Sequence, residues 1–374
     1  MKLCVFPNDP IKSYYEKGEI KERYFNPNNL FDEIHVISFS ENEIESSKVQ
    51  ELAGEAKLVI HRVGKITIFN KSKKKNQVLK LIKEIKPQVI RAYNPRLEGW
   101  CAATCSEKLK IPMFLSLHTQ LDYKRKLICK TNFKKFLALK YTEKFVEPYV
   151  LKKAKKIIIV FKVIESYVIK HVGKKPELLY NSIDYERFAK ATPLDSLPKP
   201  MIISIGNLIK EKNHECLINA MKDVEAYCLI IGKGDHFQNL VNLIKKQNLE
   251  QKISIIKSVP YSKIQNYYKS AQVFALAYDP ELEGLPKPVV EAMAVGLPVI
   301  IPYPKEGYSD DLEDTVIFSN RDSFSFSKNI RRLLNNQQLR NTYSQKSQNK
   351  AKEFDITKIE KREADIYTEL ISRK

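Results

Sequence analysis

Residues 283–296 read Glu-Gly-Leu-Pro-Lys-Pro-Val-Val-Glu-Ala-Met-Ala-Val-Gly, and this stretch indicates how the second half of the chain is built. Pro286 and Pro288 suit the first turn of a helix, because a proline there loses no hydrogen bond. Apolar residues continue the helix, and a glycine is suited to end it. Two carboxylates, Glu283 and Glu291, therefore flank a predicted helix N-terminus whose free backbone N–H groups can bind a phosphate.

Strand and helix patterns alternate along the whole chain, which predicts an α/β protein with parallel sheets covered by helices on both faces. At 374 residues the chain is also too long for one ordinary domain. A single long helix is expected over 132–153. The predicted strands are 2–6, 34–38, 57–60, 66–69, 88–92, 112–117, 156–161 and 177–180 in the first half, and 201–206, 227–231, 252–256, 272–276, 298–301 and 315–318 in the second.

A proline-rich segment separates these two series of strands. Residues 191–200 read Ala-Thr-Pro-Leu-Asp-Ser-Leu-Pro-Lys-Pro and lack periodicity, which predicts a linker. We expect an N-terminal domain over 1–190, a C-terminal domain over 201–352 and a last amphipathic helix over 353–374. Two doubly wound domains joined in this way are expected to hold a ligand in the cleft between them, at the carboxyl ends of their strands.

The formal net charge is +20, and most of it lies in the first half. Residues 1–190 hold 38 Lys and Arg against 21 Asp and Glu, a net +17, whereas the remaining residues have a net charge of +3. Basic residues are densest in segment 121–156, where apolar residues are interleaved at near-helical spacing. This pattern fits a segment that lies on an anionic membrane surface, and it also fits a solvated helix face. The sequence has no RNA-recognition strand, zinc finger or helix-turn-helix pattern, so no nucleic-acid partner is expected.

The cysteines and the hydropathy pattern indicate in which cellular compartment the protein is expected. The six cysteines contain no Cys-x-x-Cys pair, which predicts reduced thiols rather than a metal half-site. The sequence has neither an apolar run of about 18–20 residues nor an N-terminal apolar signal region. We therefore expect a cytoplasmic protein, with peripheral association at the inner face of the cell membrane if segment 121–156 binds lipid.

Four stretches together resemble retaining glycosyltransferases of family 4 (glycosyl transferases group 1), which have the GT-B fold. One is the Glu-x7-Glu stretch 283–291 with its Gly-Leu-Pro. The others are the strand-loop-helix 204–214, the Leu-Ile-Ile-Gly-Lys-Gly-Asp stretch 229–235 and the Tyr-Asn-Ser-Ile-Asp-Tyr-Glu-Arg-Phe segment 180–188. The resemblance implies two Rossmann-like doubly wound domains facing across a cleft, with the C-terminal helix packing back on the first domain.

The resemblance also implies a donor site in the second half of the chain. Glu291 is expected to hold the ribose of a nucleotide-diphosphate sugar, and Glu283 the hydroxyls of the sugar that is transferred. Lys212 and the amides of Gly284 and Leu285 are expected to hold the diphosphate. Fixed cations lower the reaction barrier there, because negative charge grows on the leaving diphosphate.

Three further positions are expected to line the donor. Gly206 follows a buried strand and Gly232 begins a Gly-x-Gly turn, so both allow a phosphate to approach the backbone closely. Tight turns also require glycine for steric reasons alone. Val259 lies where the main chain of the family meets the nucleobase.

Asn207 departs from the family pattern, which carries a phosphate-binding arginine at this position. An asparagine can donate a hydrogen bond, but it carries no charge. Lys210, Lys287 and a residue of the first domain are candidates to supply the missing charge.

In the first half, His118 follows a predicted strand and is expected to contact the transferred sugar, as the family's histidine does there. Gly18 resembles one glycine of the family's first loop and is expected to contact the donor phosphates. Glu19 is expected in acceptor binding, and Glu98 in the same cleft.

The expected activity is transfer of a sugar from a nucleotide-diphosphate sugar to an acceptor hydroxyl with retention at the anomeric carbon. Lys212, Glu283 and His118 are the expected catalytic residues, with no metal and no other cofactor. The acceptor would be a glycan or a lipid-linked, anionic molecule in envelope polysaccharide assembly. The alternatives are a catalytically weak sugar-nucleotide binding subunit, an inverting GT-B transferase, a sugar-nucleotide epimerase and an anion-binding scaffold.

Overall fold

The computed structural model describes residues 1–18, 20–129 and 132–372. The chain forms two compact units, Met1–Tyr180 with Ile359–Lys374, and Asn181–Lys358. The expected linker over 191–200 lies inside the second unit, where the Leu194 amide donates to Ser270 Oγ at 2.8 Å.

The first unit is built on a seven-stranded parallel sheet. Its strands are β1 (Lys2–Phe6), β2 (Glu33–Ser38), β3 (Lys57–Arg62), β4 (Val89–Ala92), β5 (Met113–Leu117), β6 (Lys156–Ile159) and β7 (Glu177–Leu178). They lie in the order β3-β2-β1-β4-β5-β6-β7, so the chain reverses its direction of winding between β1 and β4. Residues of β4 and β5 are buried throughout, as expected for parallel strands covered on both faces.

Helices surround this sheet. They are α1 (Ile11–Lys17), α2 (Lys71–Ile85), α3 (Leu97–Leu109), α4 (Leu121–Cys129), α5 (Phe133–Phe145), α6 (Glu147–Lys153) and α7 (Glu165–Val172). None of the helices in the described ranges is both long and apolar enough to cross a bilayer.

The second unit repeats this architecture with six parallel strands. They are β8 (Met201–Ile205), β9 (Tyr227–Ile231), β10 (Ile253–Ile256), β11 (Val273–Ala275), β12 (Val299–Pro302) and β13 (Ile317–Ser319), in the order β10-β9-β8-β11-β12-β13. Its helices are α8 (Tyr185–Ala189), α9 (His214–Ala220), α10 (Phe237–Lys246), α11 (Ile264–Ser270), α12 (Lys287–Val295), α13 (Ser323–Leu334) and α14 (Gln337–Ala351). The two doubly wound parallel sheets confirm the predicted fold class. The switch between β8 and β11 makes the carboxyl ends of these strands the expected ligand position.

Two predicted elements are wrong. Segment 66–69 is a turn rather than a strand, because the Thr67 amide donates to Asn70 Oδ1 at 2.7 Å and the Asn70 amide donates to Thr67 Oγ1 at 3.3 Å. The helix expected over 132–153 is broken at Val146, where α6 begins with Pro148 in its first turn. Proline has no N–H to continue the bonding of α5, so the chain starts a new helix there.

The C-terminal helix α15 (Ile356–Ser372) packs on the first unit, as predicted. The guanidinium of Arg23 pairs with Glu360 at 2.8 and 3.2 Å, and that of Arg362 pairs with Glu177 at 2.6 and 2.9 Å. The buried Tyr367 ring lies 5.1 Å from the Phe31 ring, centroid to centroid. Ion pairs therefore flank an apolar contact along this helix.

A buried arginine forms the centre of that contact. Arg91 donates to Glu363, to the Tyr367 hydroxyl at 2.9 Å and to Ser116 Oγ at 2.9 Å. Its guanidinium also lies 4.7 Å from the centre of the Phe114 ring. Glu363 is the carboxylate that neutralises this buried charge.

The substitution Glu363→Gln is expected to lower the free energy of unfolding by about 3 kcal/mol, because it leaves a buried charge without its partner. The double variant R91M/E363Q removes both charges and is expected to be more stable than E363Q alone. Unfolding in guanidinium chloride measures both effects. Equal stability of E363Q and the unchanged protein would contradict the assignment.

Candidate functional site

A lysine–glutamate pair lies at the carboxyl ends of the second unit's strands. The Nζ atom of Lys212 is 2.5 Å from Glu283 Oε2 and 5.7 Å from the centre of the Tyr278 ring. The Lys212 side chain is 8% exposed and that of Glu283 is 34% exposed, so the lysine is enclosed while the carboxylate still faces solvent. The structure thus brings together two of the predicted site residues.

The loop that carries Glu283 is held by its own backbone. The Glu283 amide donates to the Asp279 carbonyl at 3.2 Å, and the Glu281 amide donates to Asp279 Oδ1 at 3.1 Å. The Tyr278 hydroxyl donates to the Gly284 carbonyl at 2.6 Å. These bonds fix the loop between β11 and α12 and so fix the direction of Glu283.

Several backbone donors are unused where this loop enters α12. The amides of Gly284, Leu285 and Lys287 have no hydrogen-bond partner among the described residues. The helix begins after Pro286 without a side-chain cap. Unpaired amides and the positive end of the helix dipole favour an anion at this position.

Glu291 lies in the same helix but is buried. Its Oε1 accepts from the Tyr261 hydroxyl at 2.9 Å, and its Oε2 accepts from the Tyr268 hydroxyl at 3.0 Å. The Nζ atom of Lys287 lies 3.3 Å from Oε1 and donates to the Tyr261 hydroxyl at 2.5 Å. Burial beside Glu291 raises the pKa of Tyr261 to about 12, so this phenol stays protonated and donates.

The loops after β8 and β9 are joined by backbone hydrogen bonds. The Gly206 amide donates to the Ile231 carbonyl at 3.1 Å, and the Leu208 amide donates to the Lys233 carbonyl at 2.8 Å. A Cβ on Gly232 would lie 1.9 Å from the Gly206 carbonyl oxygen, which explains glycine there without any ligand. A Cβ on Gly206 would meet only ordinary contacts, the nearest being Lys212 Cδ at 3.7 Å.

For the remaining predicted donor residues, the described part of the structure shows where they lie but no hydrogen bond with the Lys212–Glu283 pair. Asn207 is exposed beside Gly206, and Val259 is half-buried in the segment that follows β10. Gly18 has φ of 69° and ends α1, where only a glycine adopts this conformation without strain, so the helix end itself explains this glycine. Glu19 lies outside the described residues.

The first unit has its own pocket of about 120 Å³ at the carboxyl ends of β1, β4 and β5. Its lining includes Asp9, Asn94, Arg96, His118 and Lys124. Glu98 is not among the lining residues, and burial raises the pKa of its carboxyl.

His118 presents a buried nitrogen in this pocket. Its Nε2 has no hydrogen-bond partner among the described residues, and its ring lies 5.5 Å from that of Tyr93. Burial, with the positive charges of Arg91 and Lys21, lowers the pKa of His118 to about 3. The imidazole is therefore neutral near pH 7 and can donate or accept a hydrogen bond.

Tyr261 and Tyr268 are site residues that sequence reasoning missed. They lie 30 and 23 positions before Glu291, the carboxylate that they contact. Their spacing of seven is that of a buried helix stripe, so the pattern gave no sign of a polar function. Within the described ranges, no group of three or more His, Cys, Asp or Glu side chains is arranged to hold a metal ion.

Comparisons with known proteins find a family model that is similar to part of the chain and solved structures that share its fold. Residues 186–350 match the family model described as "Glycosyl transferases group 1". The solved structure of HepE from Anabaena in complex with UDP aligns with a TM-score of 0.73 and 15% identity, covering 98% of this chain and 99% of that one. That likeness shows the shared fold, which is the GT-B fold.

Curated relatives match over a shorter range. The N-acetylgalactosamine-N,N'-diacetylbacillosaminyl-diphospho-undecaprenol 4-alpha-N-acetylgalactosaminyltransferase of Campylobacter jejuni is 31% identical over 195 residues, or 50% of this chain and 52% of that protein. The amylovoran biosynthesis glycosyltransferase AmsD of Erwinia amylovora is 28% identical over 44% of this chain and 47% of its own length. The chain spans about half the length of these relatives. Residues 186–350 therefore resemble the glycosyl transferases group 1 family.

Proposed function

We propose that the chain is a retaining glycosyltransferase of family 4 that moves a sugar from a nucleoside-diphosphate sugar to an acceptor hydroxyl. The observation that carries this proposal is the Lys212–Glu283 pair beside the unpaired amides of Gly284, Leu285 and Lys287. The named activities of both curated relatives and the UDP bound in the Anabaena structure support it.

The proposed diphosphate position is the start of α12. Amides there donate to phosphate oxygens, and Lys212 supplies a fixed positive charge close by. These groups are already oriented before reaction, so they stabilise the charge that develops on the leaving diphosphate without reorganisation. This assigns Lys212 to leaving-group stabilisation.

The two glutamates take different parts of the donor in this proposal. Glu283 is partly exposed, so its free oxygen can accept from a hydroxyl of the transferred sugar. Glu291 is buried among hydroxyl groups, and its remaining lone pairs can accept from a ribose hydroxyl. A Cβ at Gly206 would make only van der Waals contacts, the nearest with Lys212 Cδ at 3.7 Å, so we place the phosphates beside this glycine for its closeness to Lys212.

Retention follows from attack on the face that the diphosphate leaves. The bond between the anomeric carbon and the phosphate oxygen breaks, and a bond to the acceptor oxygen forms on the same face. The acceptor proton passes to the departing phosphate oxygen, so no protein nucleophile is needed. Lys212 and the helix amides supply the positive potential that a metal ion supplies in other sites, and we propose a reaction without a metal cofactor.

The acceptor is proposed to be a glycan carried on a lipid diphosphate, in envelope polysaccharide assembly. The Campylobacter relative is named for such a diphospho-undecaprenol substrate, and the Erwinia relative for polysaccharide biosynthesis. Arg96 and Lys124 place positive charge on the pocket of the first unit, where His118 would contact the transferred sugar.

The first unit also offers a surface for membrane attachment at the cytoplasmic face. Phe133 and Leu137, one turn apart, and Phe145 at the end of α5 are 64%, 53% and 58% exposed; we call these three side chains the α5 stripe. Exposed Lys135 and Lys144 lie on the same helix. Exposed aromatic and aliphatic side chains beside lysines favour anionic lipid.

Lys212→Met and Glu283→Gln are each expected to lower kcat/KM by roughly 10²–10³, because each removes a preorganised contact to the reacting part of the donor. A panel of uridine, guanosine and adenosine diphosphate sugars with a lipid-linked glycan acceptor identifies the donor first. Glu281→Gln, an exposed carboxylate in the same loop, is the matched control and should keep full activity. Donor binding without turnover in the unchanged protein would favour the binding-subunit alternative.

The product is expected to keep the anomeric configuration of the donor, and activity is expected to survive EDTA. Nuclear magnetic resonance of the product reports the configuration, and a titration with EDTA reports the metal requirement. An inverted product would replace the proposal with an inverting transferase. Donor conversion in the absence of acceptor would identify an epimerase.

The triple variant F133S/L137S/F145S is expected to lose most binding to vesicles that contain anionic lipid, because the α5 stripe no longer buries apolar surface there. Phe324→Ser changes a side chain that is 71% exposed in the second unit and serves as control. Co-sedimentation with anionic and neutral vesicles at rising salt measures the effect. Equal binding to both vesicle types would contradict the proposal.

A further inference from the structure

The proposed donor site has less free positive charge than its lysines suggest. Lys212 is paired with Glu283 at 2.5 Å and Lys287 with Glu291 at 3.3 Å, so a carboxylate offsets part of the charge of each lysine. Arg321 donates to the Ala277 carbonyl at 2.9 Å and lies 3.5 Å from Asp279 Oδ2. A diphosphate brings at least two negative charges to this position, so a further cation is expected near Gly206 and Asn207.

We infer that Lys233 supplies this cation and binds the diphosphate of the donor. The inference rests on the proposed function, because it assigns a ligand contact at the same site. Lys233 lies between the two glycines of the Gly-Lys-Gly turn that follows β9. The loop that carries Asn207 follows β8, the strand that pairs with β9.

Strand register places Lys233 opposite Asn207. In the β8–β9 pair, Ile205 is aligned with Ile231. Hydrogen bonds continue this register past the strand ends, because the Leu208 amide donates to the Lys233 carbonyl at 2.8 Å. Aligned residues of parallel strands lie about 5 Å apart and carry their side chains on the same face of the sheet. The uncharged Asn207 therefore has a lysine as its lateral neighbour.

The backbone of Lys233 is held while its side chain is free to bind. Added Cβ atoms on Gly232 and Gly234 would lie 1.9 Å from the Gly206 carbonyl oxygen and 2.1 Å from the Leu208 carbonyl oxygen. This close packing fixes the turn. The Lys233 side chain is exposed and has no ion-pair or hydrogen-bond partner in the parts of the chain that the structure describes.

The backbone of Gly206 lies next to both Lys212 and the turn that carries Lys233. The Cδ and Cε atoms of Lys212 lie 3.7 and 3.8 Å from the position of a Cβ on Gly206. Gly206 is thus beside Lys212 through space and beside Asn207 through the chain. A diphosphate bound beside Gly206 would therefore be close to Lys212 and to the turn that carries Lys233.

Isothermal titration of the full chain with UDP, GDP and ADP tests the assignment. For the nucleoside diphosphate that binds most tightly to the unchanged protein, Lys233→Met is expected to weaken binding roughly tenfold, because a charge-assisted hydrogen bond is lost. Binding of the matching nucleoside, which has no phosphate, should not change. Lys246→Met at the far end of α10 is the control and should bind as the unchanged protein does.

A compensating variant separates charge from other effects of the substitution. The double variant N207R/K233M returns a cation to the neighbouring position and is expected to recover most of the lost affinity. Lys233→Arg should bind nearly as well as the unchanged protein. Neither recovery is expected if the lysine acts only on the fold of the turn.

The outcomes distinguish the two proposals. If the unchanged protein binds a diphosphate and K233M binds it equally well, the Lys233 assignment is wrong while the proposed function stands. Loss of binding in Lys210→Met with none in K233M would assign the cation to Lys210 and overturn the inference. If none of the three diphosphates binds, both proposals are overturned.

Discussion

The close packing of two loop backbones is the constraint on which the candidate site depends. Gly232 and Gly234 leave no room for a Cβ, so the loop after β9 lies directly against the loop after β8. This packing sets the path of Gly206 and Leu208, and the short helical turn that follows carries Lys212 to Glu283. A bulky residue in the glycine turn would move the whole β8 loop. The turn therefore supports the site by steric means, whether or not its own amides touch a ligand.

Electrostatics give the site a second constraint. Each enclosed lysine has a glutamate beside it, so neither is an isolated buried charge, which would be costly. Burial alone would lower the pKa of Lys287, but Glu291 and Tyr261 hold it above its usual value. Such pairs position cations without leaving much net charge. In the proposed donor site, attraction of a diphosphate would then depend on unpaired amides and on cations outside the pairs.

Sequence patterns predicted the sheets because buried parallel strands are continuous apolar runs, as in Met201–Ile205. The prediction of a strand over 66–69 was wrong, although its residues favour strands. Hydrogen bonds between the side chains and amides of Thr67 and Asn70 stabilise a turn there instead. The glutamate stretch located the candidate site, since a helix start and its carboxylates are local features. The tyrosines around Glu291 could not be predicted, because their contacts depend on tertiary packing rather than on spacing.

Those tyrosines determine what Glu291 can do. Each carboxylate oxygen accepts one phenol hydroxyl, and burial next to the carboxylate raises the pKa of both Tyr261 and Tyr268. Both phenols therefore remain donors, and the carboxylate remains the acceptor. A ribose hydroxyl could bind Glu291 only by donating to a remaining lone pair, in a direction that the two rings leave open. In the proposed donor site, Tyr261 and Tyr268 would be positioning residues, because their hydrogen bonds fix the plane of the carboxylate before a ligand binds.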